Sequence, residues 1–189
     1  MDDTRIFRIE PQTVELASIT TPGWILDVGG GGEGVIGQLC GSRVVAIDRI
    51  QRELVEAPGD ALKILMDATD LKFLDETFET ATAFFFLMFV PPADHAKVFS
   101  EIYRVLRPGG RWLFWDLVVP PYPGGEQDVY VFRITVNLPD GRKIETGYGT
   151  LWPDRVQNVD YFTQLATETG FKVIECQQKD QTYHLVFEK

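Results

Sequence analysis

Apolar and polar positions along this chain alternate with two different periods, and each switch of period or run of glycine and proline marks an element. An apolar run, Trp24-Ile25-Leu26, closes on Asp27-Val28 and then on a glycine cluster over 29–34 interrupted by Glu33. That order predicts a buried strand, a tight turn and a helix over 33–40. Residues 43–48 predict a second strand ending in Asp48, and 61–66 a third. Between them, 52–56 reads as a brief helix stopped by Pro58-Gly59. The aromatic-rich stretch 78–90 is a fourth strand and its exit. In 93–106, Val98, Ile102, Val105 and Leu106 share one helical face, and Pro108-Gly109-Gly110 ends that helix before a fifth strand. After a proline-rich connection, Tyr130, Phe132, Ile134, Val136 and Leu138 alternate with mostly polar neighbours. Pro139-Asp140-Gly141 then turns, and Ile144, Thr146 and Tyr148 return, which predicts a hairpin over 129–149. Residues 158–169 form a last helix capped by Gly170, and 171–177 with 182–188 are two closing strands. At the start, 6–20 carries irregular helical spacing behind Pro11 and predicts a short helix.

A strand, a glycine turn, a helix and a second strand ending in a carboxylate about twenty positions on make a nucleoside-binding half, with Asp48 in reach of a ribose diol. Two nucleosides compete for it. Gly29, Gly31 and Gly34 satisfy the spacing of a dinucleotide fingerprint. Asp27, two residues before the first glycine, would repel a diphosphate but would hold the ammonium of S-adenosylmethionine.

Asp27-Val28-Gly29-Gly30-Gly31 followed by Asp48 resembles the first two motifs of class I S-adenosylmethionine-dependent methyltransferases, with Glu33 where the family's third glycine falls. Phe78-Glu79 resembles the aromatic–acid pair that opens the family's fourth strand. The helix leading to Leu106-Arg107-Pro108-Gly109-Gly110 is similar to its approach to strand five. The resemblance spans about 24–189 apart from the hairpin. It implies an α/β, Rossmann-like, seven-stranded and mostly parallel sheet with an antiparallel last strand and helices on both faces. The hairpin is inserted after strand five of a single domain covering 1–189. The cofactor implied is S-adenosylmethionine, held by Asp27, Gly29, Gly30, Gly31, Asp48 and Arg49. Asp67-Ala68 resembles the family's adenine-edge motif, although Asp67 reads equally well as a helix cap. The run Phe84-Phe85-Phe86 lines the methionine end of the cofactor and its target in this reading, or has one or two of its rings in the core in the plainer one.

Composition narrows the acceptor. The chain has 189 residues, 44% of them hydrophobic, enough for one core. A net charge of −10 without a basic stripe disfavours nucleic acid, which is bound through clustered Lys and Arg. No apolar run approaches the length of a membrane helix, and the acidic opening Met-Asp-Asp-Thr-Arg carries no leader-like core. Cys40 and Cys176 stand isolated, which fits a reducing cytoplasm and no metal site. Val90-Pro91-Pro92-Ala93 lacks the polar lead and closing aromatic of amino-group methyltransferases that act on DNA bases or glutamine, which leaves a small-molecule acceptor.

Methyl transfer demands alignment and needs a base only when the acceptor must lose a proton. His95, Asp116 and Tyr122 are the catalytic candidates, with Glu126 and Asp128 nearby, while a lone His in a helix's first turn otherwise reads as solvated surface. The hairpin is either a lid over the acceptor or an arm that pairs with a second subunit. Two other classes stay open: a dinucleotide oxidoreductase, for which no Tyr-x-x-x-Lys pair exists, and a cofactor-binding protein without turnover.

Overall fold

The structure, a computed structural model, describes residues 3–153 and 155–189. Where a helix was expected over 6–20, the chain forms two short strands, β1 (Ile6–Arg8) and β2 (Gln12–Glu15). Gln12, Val14 and Leu16 are buried while Thr13, Glu15 and Ala17 are exposed, so the period here is two rather than 3.6. The partner strand lies far along the chain, which is why local spacing misled.

Next come β3 (Ile25–Val28), α1 (Val35–Cys40), β4 (Val44–Asp48), α2 (Gln51–Glu56) and β5 (Leu62–Leu65). They are followed by β6 (Phe78–Phe84), α3 (Pro92–Val105) and β7 (Leu106–Leu117). The inserted hairpin is β8 (Val129–Asn137) and β9 (Lys143–Leu151), and α4 (Val159–Thr169), β10 (Lys172–Lys179) and β11 (Thr182–Glu188) complete the chain. Helix α3 ends before Pro108-Gly109-Gly110, not at it. Arg107, the residue preceding Pro108, is kept out of the helical region, and the backbone is extended from one residue earlier, at Leu106, which pairs with Phe78.

The main sheet runs in the order β10-β11-β7-β6-β3-β4-β5, parallel from β7 to β5, with β11 antiparallel to both β7 and β10. This is the α/β, Rossmann-like arrangement that the motifs implied. Along β3, Leu26 and Val28 face one side and Ile25 the other, giving a core on each face. On the first face α3 and α4 pack Phe99 and Phe162 against Trp112, Phe114 and Phe187 of β7 and β11. Asn158 caps α4 by accepting from Tyr161 N at 2.8 Å, and Gly170 closes it at φ 110°.

The second face is covered by α1 and by a small sheet in which β8 pairs in parallel with β1 and β2 on one edge and antiparallel with β9 on the other. Tyr130, Phe132, Ile134, Val136 and Leu138 are buried there with Ile36, Phe85 and Trp115. The alternation seen in the sequence is thus spent on this chain's own sheet, and the hairpin folds back over the strand ends.

Candidate functional site

The carboxyl ends of β3, β4 and β5 stand side by side, and each brings an acid: Asp27, Asp48 and, just past β5, Asp67. They border one cavity of about 480 Å³ at the sheet edge where open α/β folds bind ligands. Gly29, Gly30, Gly31, Arg49, Ala68, Phe84 and Phe85 line the same cavity, so every residue expected to hold the cofactor is brought together.

The glycine loop is tightly packed. Gly29 sits at φ +75°, and a Cβ on it would come within 2.3 Å of the Phe86 ring. A Cβ on Gly31 would meet Asp48 Oδ2 at 2.8 Å and Glu53 Cβ at 2.6 Å, so the bare backbone is what lets Asp48 and α2 close on the loop. Gly29 N and Gly30 N both donate to Ile47 O, at 2.9 and 3.0 Å, which ties the loop to β4.

The three acids differ in environment. Asp27 is buried and accepts from Thr82 Oγ1 at 2.7 Å; burial, with a smaller push from Asp48, raises its pKa to about 7. Asp48 accepts from Ile50 N at 2.8 Å and is shifted upward, again mainly by burial. Asp67 accepts from Thr69 N and Thr69 Oγ1, both at 2.8 Å, which holds it below the usual carboxylate range. It therefore stabilises its own turn and caps no helix, since none follows before β6, while still lining the cavity.

Because Asp27 must be ionised to hold a cationic group, affinity for S-adenosylmethionine should be highest above pH 7 and fall by about tenfold per pH unit below it. Titration calorimetry between pH 5.5 and 8.5 checks this; a flat profile would mean that Asp27 is not the partner.

The catalytic candidates lie elsewhere. His95 is buried rather than solvated: Nε2 lies 3.1 Å from both Leu87 O and Val90 O, and Nδ1 lies 2.9 Å from Tyr161 Oη. Two carbonyls require Nε2 to carry the proton, so Nδ1 accepts from the tyrosine and neither nitrogen is left for a substrate. Burial lowers its pKa, in keeping with a neutral ring. Asp116 is buried at the end of β7 and accepts from Leu117 N (2.8 Å), Gln157 Nε2 (2.7 Å) and Leu87 N (3.1 Å). Tyr122 packs on Trp152 and donates to Gly125 O, Glu126 is exposed, and Asp128 pairs with Arg5. None of these five lines the cavity.

What the sequence did not reveal is the exit of β6. Phe85 adopts φ +51°, a costly conformation for an aromatic residue. A short 3₁₀ turn over Leu87–Phe89 follows, so Phe86 lines the cavity as expected and Phe89 joins it. Nor was the role of Glu33 visible, beyond its intrusion into the glycine run; its carboxylate receives Thr146 and Tyr148 from β9.

The donor set fits S-adenosylmethionine. Asp27 suits its ammonium, Asp48 its ribose diol and Asp67 its adenine amine. Six carboxylates line the cavity (Asp27, Glu33, Asp48, Glu53, Asp67 and Asp94), and Arg49 is the one cation among the described residues that line it, a balance that repels a diphosphate.

Comparison with known proteins agrees. Residues 26–114 match the family described as a methyltransferase domain. The chain is 30% identical over 141 residues to sterol methyltransferase-like 3 of Botryococcus braunii, covering 67% of this chain and 36% of that protein. It is 39% identical over 89 residues to demethylmenaquinone methyltransferase of Thermus thermophilus, covering 43% and 39%. A solved S-adenosylmethionine-dependent methyltransferase from Methanosarcina mazei shares the fold over 91% of this chain and 94% of its own, with a TM-score of 0.67 at 19% identity. The chain thus carries a methyltransferase domain over 26–114 and shares the fold of S-adenosylmethionine-dependent methyltransferases. It spans little more than a third of the length of the two curated relatives.

Proposed function

We infer that this chain transfers a methyl group from S-adenosylmethionine to a small, largely apolar acceptor. The observation that carries this reading is the row of Asp27, Asp48 and Asp67 on adjacent strand ends, facing a cavity whose remaining wall is aromatic. When bound, S-adenosylmethionine supplies a methyl group already activated on a sulfonium. The chain's own part is to bind, align and exclude water. Asp27, Asp48 and the glycine loop fix one reactant, while Phe85, Phe86, Phe89 and Tyr148 offer apolar faces to the other. Holding two reactants in line is itself worth several orders of magnitude in rate.

An apolar acceptor is supported by that wall and by relatives named for sterols and demethylmenaquinone. A net charge of −10 argues against nucleic acid as substrate. The hairpin's packing on its own chain favours the lid over the dimer arm. Among the described residues no helix is long and apolar enough to cross a membrane, and Cys40 and Cys176 are unpaired, in keeping with work in the cytoplasm.

Incubation with methyl-labelled S-adenosylmethionine and, separately, the organic-phase and aqueous fractions of a cell extract tests the reading. Label is expected in an organic-soluble product. Label confined to water-soluble products would overturn the apolar acceptor, and no label in either fraction would overturn methyl transfer.

A further inference from the structure

Thr146, Tyr148 and Thr150 follow one another at every second position of β9 and so share one face of the strand. Thr146 Oγ1 donates to Glu33 Oε1, and Tyr148 Oη donates to Glu33 Oε2 at 3.1 Å. Thr150 Oγ1 donates to Met88 O at 2.9 Å. Glu33 belongs to the glycine loop and Met88 to the turn after β6, so one strand is fastened to both banks of the cavity. The Tyr148 ring lies between these attachments, stacked on Phe85 at 5.7 Å and edge-on to Phe89 at 6.2 Å. The alternate residues Glu145, Gly147, Gly149 and Leu151 are exposed.

We propose that Glu33 is a positioning residue that seats Tyr148 as the wall of the acceptor compartment, and that this wall decides which acceptors the site takes. A carboxylate only accepts hydrogen bonds, and here each of its oxygens receives one hydroxyl from β9. Bonds to a charged acceptor away from bulk water are the strong kind. A glycine at this position, as in the family pattern, would leave both hydroxyls without a partner and the tyrosine ring free to swing. Tyr148 is shifted well above its usual pKa by burial and by Glu33, so it stays a protonated donor to that carboxylate. The word acceptor rests on the methyl-transfer reading; the seating of Tyr148 does not.

Two arms separate these parts. In the first, the full chain is treated with tetranitromethane and nitrated tyrosines are located by mass spectrometry. Tyr148 should react about tenfold faster in Glu33→Ala than in the unaltered chain, the ratio expected for loss of one hydrogen bond to a charged group. Glu33→Gln, whose amide oxygen still accepts one hydroxyl, should fall between. Tyr130 and Tyr183, buried in the two cores, should stay unreactive in all three and so report that the fold is intact. Equal reactivity of Tyr148 in Glu33→Ala and the unaltered chain would overturn the seating. In the second arm, the organic-phase extract is methylated with labelled S-adenosylmethionine. Glu33→Ala and Tyr148→Ala should both shift the product ratio toward bulkier acceptors, with Glu33→Gln partly restoring it. A merely structural role would lower every product in proportion, and that result would overturn the selectivity claim. An absence of product from the unaltered chain would overturn the methyl-transfer reading, while the nitration arm would still decide the seating.

Discussion

Alanine at position 29 is expected to lower stability by about 3 kcal/mol, the sum of a left-handed backbone on a non-glycine residue and an overpacked side chain. The site demands both terms: φ is +75°, and the new Cβ would press 2.3 Å from the Phe86 ring. For a chain of this length that loss corresponds to a melting temperature about 6–12 °C lower, read by calorimetry. Affinity for S-adenosylhomocysteine should drop at least about tenfold, since moving Phe86 reshapes the cavity it lines. Gly124→Ala is the internal control. Its φ is +85° with nothing within 4 Å of the added Cβ, so only the backbone part, about 1 kcal/mol, should appear. Equal losses at the two positions would show that the glycine loop is not packed as described.

The second large effect is at Asp116. Removing its carboxylate in Asp116→Ala takes a partner from three buried donors, Leu87 N, Leu117 N and Gln157 Nε2, the last keeping only Leu117 O, and should cost about 3–5 kcal/mol, seen as a lower urea midpoint with an unchanged slope. The turn it holds is also gripped by His95, by Thr150 on Met88 O and by Arg155 on Val90 O at 2.6 Å. That turn carries Phe89 and follows Phe86, so loosening it should weaken selection among acceptors more than binding of S-adenosylhomocysteine. A stable Asp116→Ala protein without activity would instead mark Asp116 as a catalytic base.

What could be read from the sequence divides along a physical line. The main sheet and the residues that meet at the cavity were legible because their signals are local: Asp27 and Asp48 end apolar runs, and the glycines between them define a turn whichever strand lies beside it. Residues 6–20 were misread because their strand character depends on pairing with β8, and nothing near Val14 announces that partner. His95, Asp116 and Tyr122 stand out in the sequence by chemical type alone. Whether such a group faces a substrate or the backbone of a neighbouring turn is decided by tertiary packing alone. Glu33 was visible as an anomaly in the glycine run, and Thr146 and Tyr148 as one face of a strand; only the fold joins them.

The acidic cavity should select a sulfonium-bearing nucleoside over a dinucleotide. Titration calorimetry of the chain with S-adenosylhomocysteine and with NAD, repeated on Asp48→Ala, tests this most directly. The prediction is one-to-one binding of S-adenosylhomocysteine, weakened by about 10- to 100-fold in Asp48→Ala through loss of a carboxylate that receives hydroxyls, and no heat with NAD. Saturable binding of NAD without any response to S-adenosylhomocysteine would contradict it.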